Sequence, residues 1–117
     1  MNGFHFPKSR RLLKKSEFDR VFQRRRSQAD RVLVLYACEN DVGYPRLGLV
    51  VSRKAGNSVT RGRWKRYLRE AFRLAQHELP PGLDLVALPR PGAAPTMPRV
   101  QESLRNLAAR LSRQMGI

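Results

Sequence analysis

The sequence predicts a small α+β domain with three helices and three clear strands, in the order α-β-β-α-β-α. Apolar residues recur at i, i+3 and i+4 in three separate stretches, the period of a helix buried along one side. Short apolar runs lie between them, bounded by Gly, Pro, Asn or Asp, as strands are. At 117 residues and 41% hydrophobic, the chain suits one domain spanning residues 1–117 with a modest core.

Residues 1–15 are basic and read as irregular, the first ten as a candidate disordered lead. Ser16 is a good N-cap for the first helix, with Asp19 three residues on in the place of a capping-box acid. Phe18, Val21 and Phe22 share one face of that helix. The run Arg24-Arg25-Arg26 closes it, where cations suit the helix dipole. Residues 32–38 are mostly apolar, a strand buried on both faces or nearly so. Residues 39–44 contain Asn, Asp and Gly and read as a hairpin loop, with residues 47–52 as the returning strand. Asn57 or Ser58 caps the second helix, which runs to about His77. Trp64, Tyr67, Leu68, Ala71, Phe72 and Ala75 fall on one side of it, and Lys65, Arg66, Arg69 and Arg73 on the other. Pro80-Pro81-Gly82 ends the element. Residues 83–88 form a further strand, residues 89–98 a Pro/Gly/Ala loop, and residues 98–112 the last helix, with Val100, Leu104, Leu107, Ala108 and Leu111 as its core stripe.

Charge is the strongest functional signal. The chain has 24 Lys plus Arg against 9 Asp plus Glu, a net charge of +15. Small soluble domains usually carry about 2–8. Such an excess draws a protein to nucleic acid or to anionic membranes. There are 19 Arg to 5 Lys, and Arg offers a planar fork for phosphate and a face for stacking on bases. Seven of the cations lie between Arg53 and Arg69, where Glu70 is the next residue and the nearest acid.

Other chemistry is hard to build. The longest apolar runs are too short to cross a membrane. Basic residues at the N-terminus have no apolar segment behind them, so export is not expected. Cys38 is the only cysteine; it suits a reducing cytoplasm and reads as a small core residue. His5 and His77 are isolated and give no metal-ligand spacing. The acids are scattered, without the close pair that acid–base catalysis needs. The composition is that of a binding module with no catalytic group, metal or cofactor of its own.

The block Ser52-Arg53-Lys54-Ala55-Gly56-Asn57-Ser58-Val59-Thr60-Arg61-Gly62-Arg63-Trp64-Lys65-Arg66-Tyr67-Leu68-Arg69-Glu70 resembles the signature of the bacterial ribonuclease P protein subunit. Arg11-Leu12, Lys15 and Phe18-x-x-x-Phe22 resemble that family's first helix. The strand containing Tyr36 and the stretch 46–54 resemble its sheet. The resemblance spans about residues 8–112. It departs at Gly62, where the family's Arg-Asn-Arg has Asn.

The resemblance implies an α+β two-layer sandwich in the order α-β-β-β-α-β-α. Its sheet has four strands, the additional short one near residues 26–29, and its βαβ crossover is left-handed. It implies a non-catalytic subunit of a ribonucleoprotein endonuclease that removes the 5′ leader of precursor tRNA. The hydrolysis is carried by the RNA subunit and its magnesium. The implied partners are ribonuclease P RNA and precursor tRNA, with no membrane and no small-molecule substrate, and the free protein is a cytoplasmic monomer. Arg53, Lys54, Asn57, Arg61, Arg63, Lys65, Arg66 and Arg69 would bind the RNA subunit. Phe18, Phe22 and Tyr36 would take the leader, with Lys15 and Arg31 nearby. By periodicity alone, Phe18 and Phe22 at i and i+4 read first as a core stripe, and the resemblance is what brings the leader role level with it. A ribosomal or other structural RNA-binding protein fits the composition as well.

Overall fold

Along one strand Leu33, Leu35 and Ala37 alternate with Val34, Tyr36 and Cys38, and this alternation sorts the protein into layers. The computed structural model describes residues 6–117; His5 and the residues before it lie outside the described part. The elements are α1 (Lys15–Arg24), β1 (Arg26–Ala29), β2 (Leu33–Glu39), β3 (Arg46–Leu49), α2 (Ser58–Ala75), β4 (Leu83–Pro89) and α3 (Met97–Met115). Single 3-10 turns at Lys8–Arg10 and Arg53–Ala55 precede α1 and α2. The order α-β-β-β-α-β-α is the one implied by the resemblance, including the short strand at Arg26–Ala29.

The sheet order is β1-β2-β4-β3. β1 pairs antiparallel with β2, β2 antiparallel with β4, and β3 parallel with β4. This corrects the hairpin expected between residues 32–38 and 47–52: β2 and β3 are not neighbours, because β4 lies between them. The reason is burial. Leu83, Asp84, Leu85, Val86 and Ala87 are all buried, as a strand covered on both faces must be. β3 has only four residues, among them Arg46 and Gly48, and takes the edge. Its outer side is covered in turn by the chain before α1, where Leu12 N donates to Leu47 O at 2.9 Å.

One sheet face packs on α2 and α3. There Leu33, Leu35, Ala37, Leu47, Leu83, Leu85 and Ala87 meet Trp64, Leu68 and Phe72 from α2 and Val100, Leu104, Leu107 and Leu111 from α3. The opposite face carries α1 alone, and α1 is too short to cover it. Val21 is fully buried there with Val86, while Phe18, Phe22, Tyr36, Val50 and Leu88 are half-buried.

The helix starts show local chemistry at work. α1 begins one residue before Ser16, with Lys14 at the N-cap. Glu17, rather than Asp19, satisfies the free amides: its Oε1 accepts from Leu13 N and Lys14 N, both at 2.9 Å. Asp19 instead pairs with Lys15 at 2.8 Å. Arg25 ends α1 in the left-handed conformation at φ 56, and Arg24 turns back to Glu39 at 2.9 Å. Asn57 is the cap of α2; its Oδ1 accepts from Thr60 N at 2.9 Å.

Asp84 is the one carboxylate completely buried, and four bonds hold it. Arg46 Nε donates to Oδ1 and Nη2 to Oδ2, both at 2.8 Å. Asn40 Nδ2 donates to Oδ1 at 2.8 Å and Arg20 Nη2 to Oδ2 at 2.6 Å. Burial is the largest single influence on this carboxyl and would raise its pKa; Arg46, Asn40 and Arg20 together outweigh it and hold the group below its usual range. Hydrogen bonds from Arg24, its largest influence, push Glu39 down to about 2, and backbone amides lower Glu17.

These depressed carboxyls fix a sign. Each contributes stability that is present above its unfolded pKa, roughly 4, and is lost as pH falls through the folded value. Unfolding free energy should therefore be level from pH 7 to 5 and fall below about pH 4. Asp84→Asn should cost several kcal/mol at pH 7, roughly 3–5 for a broken buried pair, and flatten the acid branch. Urea titrations at pH 7, 5, 4 and 3 check this; an acid branch unchanged in the mutant would show that Asp84 is not its source.

Candidate nucleic-acid interface

The basic block folds as a turn, a cap and a helix. Ser52 Oγ accepts from Lys54 N at 3.3 Å and starts the 3-10 turn that carries Arg53 and Lys54. Gly56 follows at φ 134, a conformation open to glycine; a side chain there would also lie 2.8 Å from Thr60 Cγ2. The Asn57 cap then launches α2. Asn57 uses its side-chain oxygen on that cap and so aims the helix, while its exposed Nδ2 keeps its donors.

Burial of Trp64, Leu68, Ala71, Phe72 and Ala75 anchors one side of α2. Tyr67, read as part of that side, is only half-buried at its margin, under the Arg66 guanidinium 5.3 Å from its ring centre. Arg53, Lys54, Arg63, Lys65, Arg66 and Arg69 are exposed and Arg61 is partly buried. Among the described residues none of these seven forms a salt bridge. Arg73 differs: its guanidinium holds Glu70 at 2.7 Å, so the only acid on this surface is already neutralised. The first turn of α2 has no acid. What remains is a fixed array of unneutralised cations.

Gly62 sits inside this array. The helix runs through it without a break, it is exposed, and a Cβ added to it meets nothing within 4 Å. The fold does not require glycine here, although glycine costs about 1 kcal/mol of helix propensity relative to Ala.

The second surface is the partly covered sheet face beside α1. Its floor is Leu12, Val21, Cys38 and Val86, all buried, and its walls are Phe18, Phe22, Tyr36, Val50 and Leu88. Phe22 meets Tyr36 edge to face, with ring centres 5.0 Å apart at 79°. Phe18 lies against the backbone of β3: a Cβ on Gly48 would be 2.7 Å from its ring, so glycine makes the contact possible. Val21 is thus the core residue of α1. Phe18 and Phe22 flank it, each with part of its ring in the cluster and part open. Burial pushes the Cys38 thiol pKa up, in keeping with a packing role.

The two surfaces share a border. Lys65 and Arg69 line one hollow together with Arg11, Leu12, Leu13 and Phe18. The remaining sequence candidates are more dispersed. Lys15 lies at the start of α1, ion-paired to Asp19. Arg31 is in the turn between β1 and β2, lining a hollow with Val32, Arg99 and residues 91–94. No ring contact or hydrogen bond joins Arg31 to Phe18, Phe22 or Tyr36.

Sequence reading missed Gly48 and the Asp84 network. An Asp within Leu-Asp-Leu-Val-Ala-Leu is a usable signal, since a charge in an apolar strand needs partners, but Arg20, Asn40 and Arg46 cannot be matched to it from spacing. Val86 and Leu88 were legible as strand residues but not as the floor and wall of a cleft.

Comparison with known proteins agrees with this geometry. The family model described as Ribonuclease P matches residues 6–112. The ribonuclease P protein component of Brevibacillus brevis is 42% identical over 106 residues, covering 88% of this chain and 83% of the relative. That of an Exiguobacterium species is 40% identical over 103 residues, covering 88% and 90%. Among solved structures, the ribonuclease P protein of Thermotoga maritima superposes with a TM-score of 0.77 at 33% identity, covering 86% of this chain and 96% of that one. The Staphylococcus aureus protein gives 0.76 at 33% identity, covering 86% and 93%. With this architecture, an unneutralised basic helix and a family match over almost its whole length, the chain belongs to the ribonuclease P protein family.

Proposed function

We propose that this protein holds the catalytic RNA of ribonuclease P on α2 and its preceding turn, and the 5′ leader of precursor tRNA in the cleft between α1 and the sheet. The observation that carries this reading is the shared border: an open aromatic cluster meets unneutralised cations where Phe18 adjoins Lys65 and Arg69. A single-stranded leader needs stacking faces and phosphate partners together, and aromatic stacking tolerates many base sequences. Arg53, Lys54, Arg61, Arg63, Lys65, Arg66 and Arg69 then face the RNA subunit, Lys65 and Arg69 at the border where the leader also passes, with Asn57 at the start of the helix. Lys15, at the start of α1, extends the path of the leader phosphates at one end; Arg31 lies apart from that path, beside Arg99. Magnesium belongs to the RNA subunit in this reading, and the protein's cations supplement it in screening repulsion between the two RNAs. The free protein acts as a monomer in the cytoplasm, where tRNA precursors are made. A structural RNA-binding role without an enzymatic partner is not favoured by the family relationship.

Reconstitution tests the whole reading. The protein alone should leave precursor tRNA intact. With a bacterial ribonuclease P RNA at low magnesium it should raise leader cleavage well above that of the RNA alone. Cleavage by the pure protein without RNA would sink it.

Replacing both Arg61 and Arg63 with Ala should weaken binding to the RNA subunit. Each phosphate contact contributes about 0.7–0.9 to the slope of log affinity against log salt. The double mutant's slope should shrink by roughly 1.5; an unchanged slope would leave these arginines as solvated surface.

Phe22→Ala separates the leader role from packing. Stacking is worth ~1–3 kcal/mol per base, so affinity for precursor with a leader should fall about tenfold while that for mature tRNA holds. Because Phe22 is only half-buried, the loss of stability should stay below the ~3–5 kcal/mol of a fully buried Phe. A larger loss of stability with an unaltered precursor-to-mature ratio would make Phe22 a packing residue.

A further inference from the structure

Two features of α2 have no use within the chain, and they are adjacent. Gly62 is exposed in mid-helix, with no left-handed backbone and no neighbour within 4 Å of a Cβ. Most of the other described glycines have a local reason: Gly43, Gly56, Gly92 and Gly116 have positive φ, and Gly48 holds the Phe18 ring. Val59, three residues before Gly62, is 67% exposed, the most exposed large apolar side chain among those described. Residues three apart are neighbours on a helix surface. Gly62 and Val59 therefore make a low, uncharged notch, and Lys65 and Arg66 border it at i+3 and i+4.

From this we infer that the notch receives the sugar-phosphate backbone of a folded RNA, a ribose resting on Val59 and the bare helix at Gly62 and the flanking phosphates meeting Lys65 and Arg66. The inference rests on the reading of α2 as the RNA-subunit surface. Shape and chemistry favour a ribose over a base or a peptide. Ribose offers C–H surface for Val59. Its hydroxyls keep the solvent on their other side, and its phosphates lie one unit away, where Lys65 and Arg66 stand one turn further along α2. Double-helical RNA presents riboses along a wide, shallow groove that a smooth helix surface can approach.

Binding of a bacterial ribonuclease P RNA transcript to the Gly62→Ala and Gly62→Leu variants tests it, beside the Arg61→Ala/Arg63→Ala double mutant. Both Gly62 variants remove a helix-weakening residue into open space, so their melting temperatures should equal or exceed that of the parent. Affinity should nevertheless fall several-fold for Ala and tenfold or more for Leu, with the salt slope unchanged because no charge is lost. Equal affinity across parent, Ala and Leu would overturn the notch. An equal loss for Ala and Leu would also overturn it, since helix flexibility rather than room would then be the cause. If the arginine double mutant alone weakens binding, α2 still faces RNA and only the notch fails. If no variant does, the reading of α2 itself fails.

Discussion

The buried carboxylate of Asp84 holds this structure in register. It sits on the central strand β4 and is reached from three directions: Arg46 from β3, Arg20 from α1 and Asn40 from the loop after β2. A buried charge is tolerated only when its hydrogen bonds are complete. Completing them forces β3 to lie beside β4, the loop to cross the end of β4 and α1 to rest on the outer sheet face. Asn40 also donates to the Tyr44 carbonyl, so the same side chain shapes the loop. Glu17 adds a weaker contact to Arg46 at 3.5 Å, tying the start of α1 to the same point.

Fixing α1 by its polar side has a consequence for the apolar one. Arg20 is anchored at Asp84 and Arg24 at Glu39, so the helix cannot slide to cover the whole sheet. Val21 fills the closest approach. Phe18 is drawn onto Gly48, and Phe22 is left edge-on to Tyr36. The open aromatic cluster is thus a product of the ion network and the missing Cβ at Gly48. Aromatic side chains at helical spacing are ordinarily core; here a ten-residue helix spread over a four-stranded sheet cannot close the layer.

The basic helix follows a different logic. Its position is set by Trp64, Leu68 and Phe72, wedged between the sheet and α3, and its cations are left free because the sequence supplies so few acids. The exception, Glu70, is matched within its own helix by Arg73. Mutual repulsion in such an array disfavours the isolated protein and favours any state that brings phosphate to it. Binding is therefore written into the charge, and the turn at Gly56 with the cap at Asn57 gives that charge a direction.

How much was visible beforehand depends on the range of the interaction. The apolar stripes of α2 and α3, the Asn57 cap and the cation array were legible because periodicity, capping and charge act over a few residues; the short strand at Arg26–Ala29 came only from the resemblance. The sequence alone puts the N-cap of α1 at Ser16, two residues past the Lys14 that takes it. Glu17 and Asp19 are both suitable acids, and only the folded backbone decides which of them meets the free amides. The strand order was beyond sequence reading. A loop with Asn, Asp and Gly between two strands fits a hairpin equally well, and what excludes it is that β4, apolar on both faces, must take the central place. The sequence by itself determined that the chain would be a basic α+β domain with one helix carrying a dense array of cations. Only the tertiary structure decided that Phe18 and Phe22 stay half open, that Lys65 and Arg69 adjoin them, and that Arg31 stands apart, because each of these depends on contacts between residues distant in the chain.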